Sequence, residues 1–160
     1  MKLKNISYED FVNYRLPSMM LASCSCTWKC PIEQGLPVSI CQNSEIARQP
    51  TMDVPPDKII AEYKSNPITQ AIVIGGLEPM LQFSEMIDFI QCLRGSGIND
   101  DVVIYTGYRE NELATEIAAL KHYPNIVVKF GRYIPGYTPH YDPVLGVELA
   151  SDNQYAVRIS

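Results

Sequence analysis

Gln70-Ala-Ile-Val-Ile-Gly-Gly-Leu-Glu-Pro79 decides the fold. Ala71 to Ile74 is a short unbroken apolar run, mostly β-branched. Without alternation, such a run reads as a strand buried on both faces, as in a parallel sheet. Gly75-Gly76 ends it. A residue without a Cβ lets the backbone turn sharply or approach a ligand closely, so the pair reads as a tight turn or as a binding edge. Glu78 follows just past the strand end. There it would either accept hydrogen bonds from an amino group or remain a solvated loop charge.

Downstream, Phe83, Met86, Ile87, Ile90 and Leu93 repeat at helical spacing until Gly95-Ser96-Gly97 stops them. Val102 to Tyr105 is the next strand and ends in Thr106-Gly107-Tyr108. Leu113, Ile117 and Leu120 mark a helix closed by Pro124. Ile126 to Val128 is a further strand, and Tyr155 to Ile159 a last one after a tail rich in Pro, Gly and Tyr from Gly131 to Asp142. Upstream, Pro55-Pro56-Asp57 predicts a helix start with Asp57 as N-cap, and Ile59, Ile60 and Tyr63 form its apolar face. Asn43 to Pro56 reads as irregular. Pro17 to Ala22 reads as a short strand leading into a cysteine loop. Strands alternating with helices predict an α/β fold: a small, mostly parallel sheet with right-handed crossover helices and ligand chemistry at the strands' C-terminal ends. The 160 residues are expected to form one domain.

Apolar residues make up 46% of the chain and charged ones 19%, enough to build a core and too little charge for disorder. The net charge of −5, with no basic block, argues against nucleic acid as a partner. The first residues carry no apolar signal segment, and no run approaches the roughly 18 to 20 apolar residues that span a bilayer. A cytoplasmic protein with no membrane partner is expected. Five cysteines, an odd number, argue against a disulfide framework and for metal binding or redox chemistry.

Three of those cysteines cluster: Cys26-Thr-Trp-Lys-Cys30, then Cys41. Three soft ligands suit iron–sulfur chemistry and leave one coordination position vacant. A zinc site would need a fourth ligand. Cys24 is available as that ligand, while His122 and His140 lie far along the chain. Cys92 reads as a small buried hydrophobe. Trp28 reads either as a shield for a cluster or as core packing. His140 reads as structural or surface, and Tyr105, Tyr108, Tyr133, Tyr137 and Tyr141 as packing or rim residues.

Four separated segments together resemble the radical S-adenosylmethionine enzymes, most closely the activating enzymes of anaerobic (class III) ribonucleotide reductases. Cys26-Thr-Trp-Lys-Cys30 with Cys41-Gln-Asn43 resembles the family's cluster loop. Gly75-Gly76-Leu-Glu78-Pro79 is similar to its Gly-Gly-Asp/Glu-Pro segment. Val103-Ile-Tyr-Thr-Gly-Tyr108 with Glu110-Asn-Glu-Leu113 is similar to a Trp-Thr-Gly-Tyr…Glu-Leu stretch. Val127-Val-Lys-Phe-Gly131 and Ser151-Asp-Asn-Gln154 are similar to a late strand and a Ser-Ser-Asn-Gln segment. The set covers the chain from about residue 17 onward, in the family's order.

The resemblance implies a partial TIM-barrel and a 4Fe-4S cluster on Cys26, Cys30 and Cys41, with S-adenosylmethionine on the remaining iron. Gly75, Gly76 and Glu78 would line the methionyl end, Thr106 and Gly107 would lie beside it, and Asn43 would orient the loop. The implied activity is reductive cleavage of the cofactor to methionine and a 5′-deoxyadenosyl radical. That radical takes a hydrogen from a glycine on the large subunit of the anaerobic ribonucleotide reductase, and flavodoxin or ferredoxin supplies the electron. The partner would cap the open edge of the sheet. The chain departs from the family at one point. The usual spacing is C-x3-C-x2-C, with an aromatic residue before the third cysteine. Here ten residues, Pro31 to Ile40, separate the second and third. Ile40 replaces the aromatic, and adenine would then rest on Ile40 or Tyr108. Glu33 falls at the usual third position and is not expected to ligate; Cys24 is the alternative third ligand. A superfamily enzyme acting on another protein or a small molecule, and a non-catalytic zinc- or cluster-binding module, are the other readings.

Overall fold

The computed structural model describes Met1–Ser160. Its strands are β1 (Lys2–Asp10), β2 (Ser18–Ser23), β3 (Met52–Asp53), β4 (Ala71–Gly75), β5 (Asp101–Tyr105), β6 (Ile126–Phe130), β7 (His140–Asp142), β8 (Val147–Leu149) and β9 (Tyr155–Arg158). Its helices are α1 (Lys29–Ile32), α2 (Ser44–Ala47), α3 (Pro56–Ser65), α4 (Phe83–Gly95) and α5 (Ala114–Leu120). Seven strands form one sheet in the order β3-β1-β2-β4-β5-β6-β9, and β7 and β8 form a separate hairpin. β2, β4, β5 and β6 pair in parallel; β1 and β9 run antiparallel to their neighbours. β3 opposes β1, so five of the seven strands point the same way and the α/β, mostly parallel expectation stands.

The pleat sorts the strand residues. Ile72, Ile74, Val102, Ile104, Ile126 and Val128 face one core with Ile59, Ile60, Met86, Phe89, Leu93, Ile117 and Leu120 of the three long helices. All three crossover helices therefore lie on one side of the sheet. The alternate residues Ala71, Val73, Val103 and Val127 face a second, smaller core with Tyr14, Leu145, Leu149 and Ala156. The helices cover one face; the segment before β2 and the β7–β8 hairpin cover the other.

Several local expectations fail. β1 was not foreseen, because its largely exposed, charge-bearing pattern lacks an apolar run. Asn43 to Pro56 is not irregular throughout, since it contains α2 and β3. Asp57 does not cap α3: Pro55 holds that position and Pro56, whose fixed φ suits the first helical residue, starts the helix. Asp57 instead puts its charge in the first turn, against the positive end of the helix dipole. Cys92 is exposed, on the side of α4 away from Phe89, Ile90 and Leu93. The Pro-, Gly- and Tyr-rich tail leads into the hairpin that covers the inner face. No helix is long and apolar enough to cross a membrane.

Candidate metal centre

The parallel strands end on one side, and the loops there enclose a cavity of about 480 Å³. Cys26, Cys30 and Cys41 all lie on its wall. Trp28 makes this possible locally. It adopts a left-handed conformation, φ 59°, at the start of α1, and its N–H donates to Cys26 Sγ at 3.2 Å. The folded-back loop puts Cys30 in the first turn of α1, and a 3-10 turn at Val38–Ile40 delivers Cys41. The ten-residue excursion thus returns to the same cavity. Trp28 is half-buried, outside the buried core and off the wall. Cys24, His122 and His140 are also off the wall; the backbone N–H of Cys24 donates to Gln82 instead.

Glu78 is no solvated charge. It is 6% exposed, and three groups bond its carboxylate. Oε1 accepts from the Met80 N–H (3.1 Å) and the Thr106 hydroxyl (2.8 Å), and Oε2 accepts from the Gly107 N–H (2.9 Å). Burial outweighs those bonds and raises its pKa. The Glu78 N–H donates to Ser25 O, which ties this loop to the cysteine loop. Gly76, Thr106, Gly107 and Asn43 reach the cavity wall; Gly75 does not. A Cβ on Gly75 would meet Tyr105 and Met20, so this glycine serves packing inside the sheet. Gly76, at φ +77°, lies against Ala22 of β2. Gly107 lies against Cys30: a Cβ there would sit 3.1 Å from its Sγ.

Ile40 and Tyr108 are also off the wall. Ile40 points outward, and the ring of Tyr108 packs under Lys29 (4.4 Å) and Arg132 (5.5 Å). Ile46, Tyr133, Val147 and Leu149 supply the apolar wall instead.

Lys129 was missed from the sequence. It sits one pleat beyond Val127 on the inner face, 6% exposed, and reaches the cavity. Its ammonium makes one hydrogen bond, to Gly131 O at 3.1 Å. Burial lowers its pKa to about 8, against the opposing pull of Cys30 and Glu78. A lysine within a doubly buried strand was the signal for it.

The thiols are free rather than disulfide-bonded. Burial pushes Cys26 up to about 11 and raises Cys30 as well, while the Tyr133 N–H directed at Cys30 pulls the other way. Such thiols ionise on binding a cation. No three acidic, histidine or cysteine side chains crowd closely enough to share one metal ion. A cubane spreads its thiolates over separate irons, so three thiols around one cavity, two of them with N–H groups aimed at sulfur, fit a cluster better than a single ion. The family model for the 4Fe-4S single cluster domain matches residues 23–142, or 120 of the 160 residues, and spans all three thiols and Glu78.

The chain belongs to that family. In a 4Fe-4S single cluster domain, Cys26, Cys30 and Cys41 are the thiols this fold gathers at one cavity. Neither a curated protein nor a solved structure matches the chain.

Proposed function

We propose that this 4Fe-4S domain is a radical S-adenosylmethionine enzyme: an activase that installs a glycyl radical on the large subunit of an anaerobic ribonucleotide reductase. One observation carries the reading. The three thiols share their cavity with Gly76, Glu78, Thr106 and Gly107, and its volume of about 480 Å³ suits a second ligand beside a cluster. The fold supports it. Four parallel strands with every crossover helix on one side suit the partial barrel that this reading expects.

In this reading Cys26, Cys30 and Cys41 hold the cluster. Glu78 Oε2, with one acceptor site unfilled, would take the amino group of the cofactor's methionyl end, and Lys129, with two donors unspent, would face its carboxylate. Thr106 and the Gly107 N–H hold Glu78 in place. Asn43, on the wall just after Cys41, orients that end of the loop. Ile46, Tyr133, Val147 and Leu149 keep water from the adenosyl side. When bound, the cluster supplies the one electron, drawn from a donor such as flavodoxin or ferredoxin, that splits the sulfonium of S-adenosylmethionine. The hairpin already covers the inner face of the sheet, so the reductase needs to close only the cavity mouth.

Anaerobic reconstitution with iron and sulfide tests this. The reduced cluster should give an electron paramagnetic resonance signal that shifts when S-adenosylmethionine is added, and Cys41→Ala should lose the cluster. A fully loaded cluster whose signal ignores S-adenosylmethionine would sink the activase reading. Full loading of Cys41→Ala would remove Cys41 from the ligand set.

A further inference from the structure

Arg132 follows β6 and is 3% exposed. A guanidinium has five N–H donors, and here all five are used. Nε donates to Glu33 Oε2 (3.1 Å) and Nη2 to Glu33 Oε1 (2.8 Å). Nη1 donates to Glu112 Oε2 (2.7 Å) and to Gly107 O (2.6 Å), and Nη2 also to Glu112 Oε1 (2.9 Å). These partners come from different loops. Glu33 lies three residues past Cys30, while Gly107 and Glu112 belong to the segment after β5. One buried side chain thus locks its own loop after β6 to the cysteine loop and to the segment after β5.

Each link leads to Cys30. Gly107 is held on both sides of its Cα, its carbonyl by Arg132 and its N–H by Glu78, and its Cα face packs on Cys30 Sγ. Glu33 closes the turn after Cys30, its N–H donating to Lys29 O. Gln34 donates to both Cys30 O (2.6 Å) and Tyr133 O (3.0 Å), joining the same two segments again. Cys41 has no such tie to Arg132.

We infer that Arg132 is the positioning residue of the centre, holding Cys30 at the cavity wall through Gly107 and Glu33. The inference rests on the cluster site alone and is independent of the S-adenosylmethionine reading. A structural ion pair on this scale would be matched by any charge-paired side chain. A positioning role needs the planar two-sided fork, which lysine lacks.

The test is thiol labelling of the reduced, cluster-free protein with iodoacetamide, followed site by site by mass spectrometry. In Arg132→Gln, Cys30 should label about tenfold faster once each rate is divided by the thiolate fraction found from its pH dependence, since losing the Arg132 charge by itself raises the Cys30 pKa and slows alkylation. Cys41 should stay near its wild-type rate, and Arg132→Lys should not restore Cys30. On anaerobic reconstitution the same variants should bind less iron and give an altered spectrum before any S-adenosylmethionine is added. A folded Arg132→Gln with unchanged Cys30 labelling and full iron would overturn the inference, as would equal acceleration at Cys30 and Cys41. If circular dichroism shows Arg132→Gln unfolded, Glu33→Gln and Glu112→Gln decide. Each removes one surface arm of the clamp, and selective acceleration at Cys30 supports the role, whereas wild-type rates in both overturn it.

Discussion

Lys129 destabilises the fold that contains it. A buried ammonium with a single hydrogen bond keeps most of its desolvation cost. Its folded pKa, about 8, lies below the roughly 10.4 of an unfolded lysine. Between those values the unfolded chain binds more protons, so stability gains from this group as pH rises through that window and its cost is fully present below about 8. Lys129→Met keeps the length and removes the charge. The cluster-free variant should melt a few degrees above wild type near pH 7, and the gap should narrow toward pH 10. A lower melting temperature at pH 7 would mean that the ammonium supports the fold. A residue that costs stability while facing three thiols and a carboxylate is one kept for what the cavity binds.

At the scale of elements, the junction between β4 and β2 fixes the distance between the Glu78 loop and the cysteine loop. Gly76 makes that junction. Its φ is +77°, and an added Cβ would lie 2.9 Å from the Cβ of Ala22. Gly76→Ala combines left-handed strain with a backbone clash and should cost about 2 kcal/mol, lowering the melting temperature by several degrees. Gly95→Ala is the control: nothing lies within 4 Å of its Cβ position, near the end of α4, and the change should be neutral or slightly stabilising. Equal melting of the two variants would mean that the β4–β2 approach is not tight. The glycine pair was legible as a turn or close approach, yet the sequence could not say that Gly76 meets a neighbouring strand while Gly75 packs on Tyr105. The same boundary recurs elsewhere. β4, β5, β6 and α4 announce themselves because a buried run or a helical stripe is a local pattern. β1 lies between β2 and the two-residue β3 and carries charges on its exposed positions, so its pairing is decided by β2 and not by its own composition. Cys26, Cys30 and Cys41 were legible by residue type. Arg132 was not, since its partners are brought together only when three loops meet.

For the whole molecule, what matters is how a sheet with helices on one side keeps its other side dry. The β7–β8 hairpin does it. Leu145 and Leu149 bury against Val73, Val103 and Val127, while Val147 and Leu149 also line the cavity. Hairpins of three-residue strands do not stand alone, so something must hold this one down. Asp142, itself buried, accepts from the Val144 and Leu145 N–H groups within the turn and from the Ala156 N–H of β9, each at 2.9 Å. One carboxylate thus shapes the turn and ties it to the sheet edge. Asp142→Ala leaves three backbone donors without that partner, each worth about 1–3 kcal/mol if kept from water. The inexpensive escape is for the hairpin to lift, because its inner residues then lose apolar cover but its N–H groups gain solvent. Hydrogen exchange should therefore speed up at least about tenfold across residues 140–149, well beyond any change in β4 and β5. Acceleration spread evenly over the sheet would make Asp142 part of the global fold. Unchanged exchange in the hairpin would show that the apolar contacts of Leu145 and Leu149 hold it down unaided.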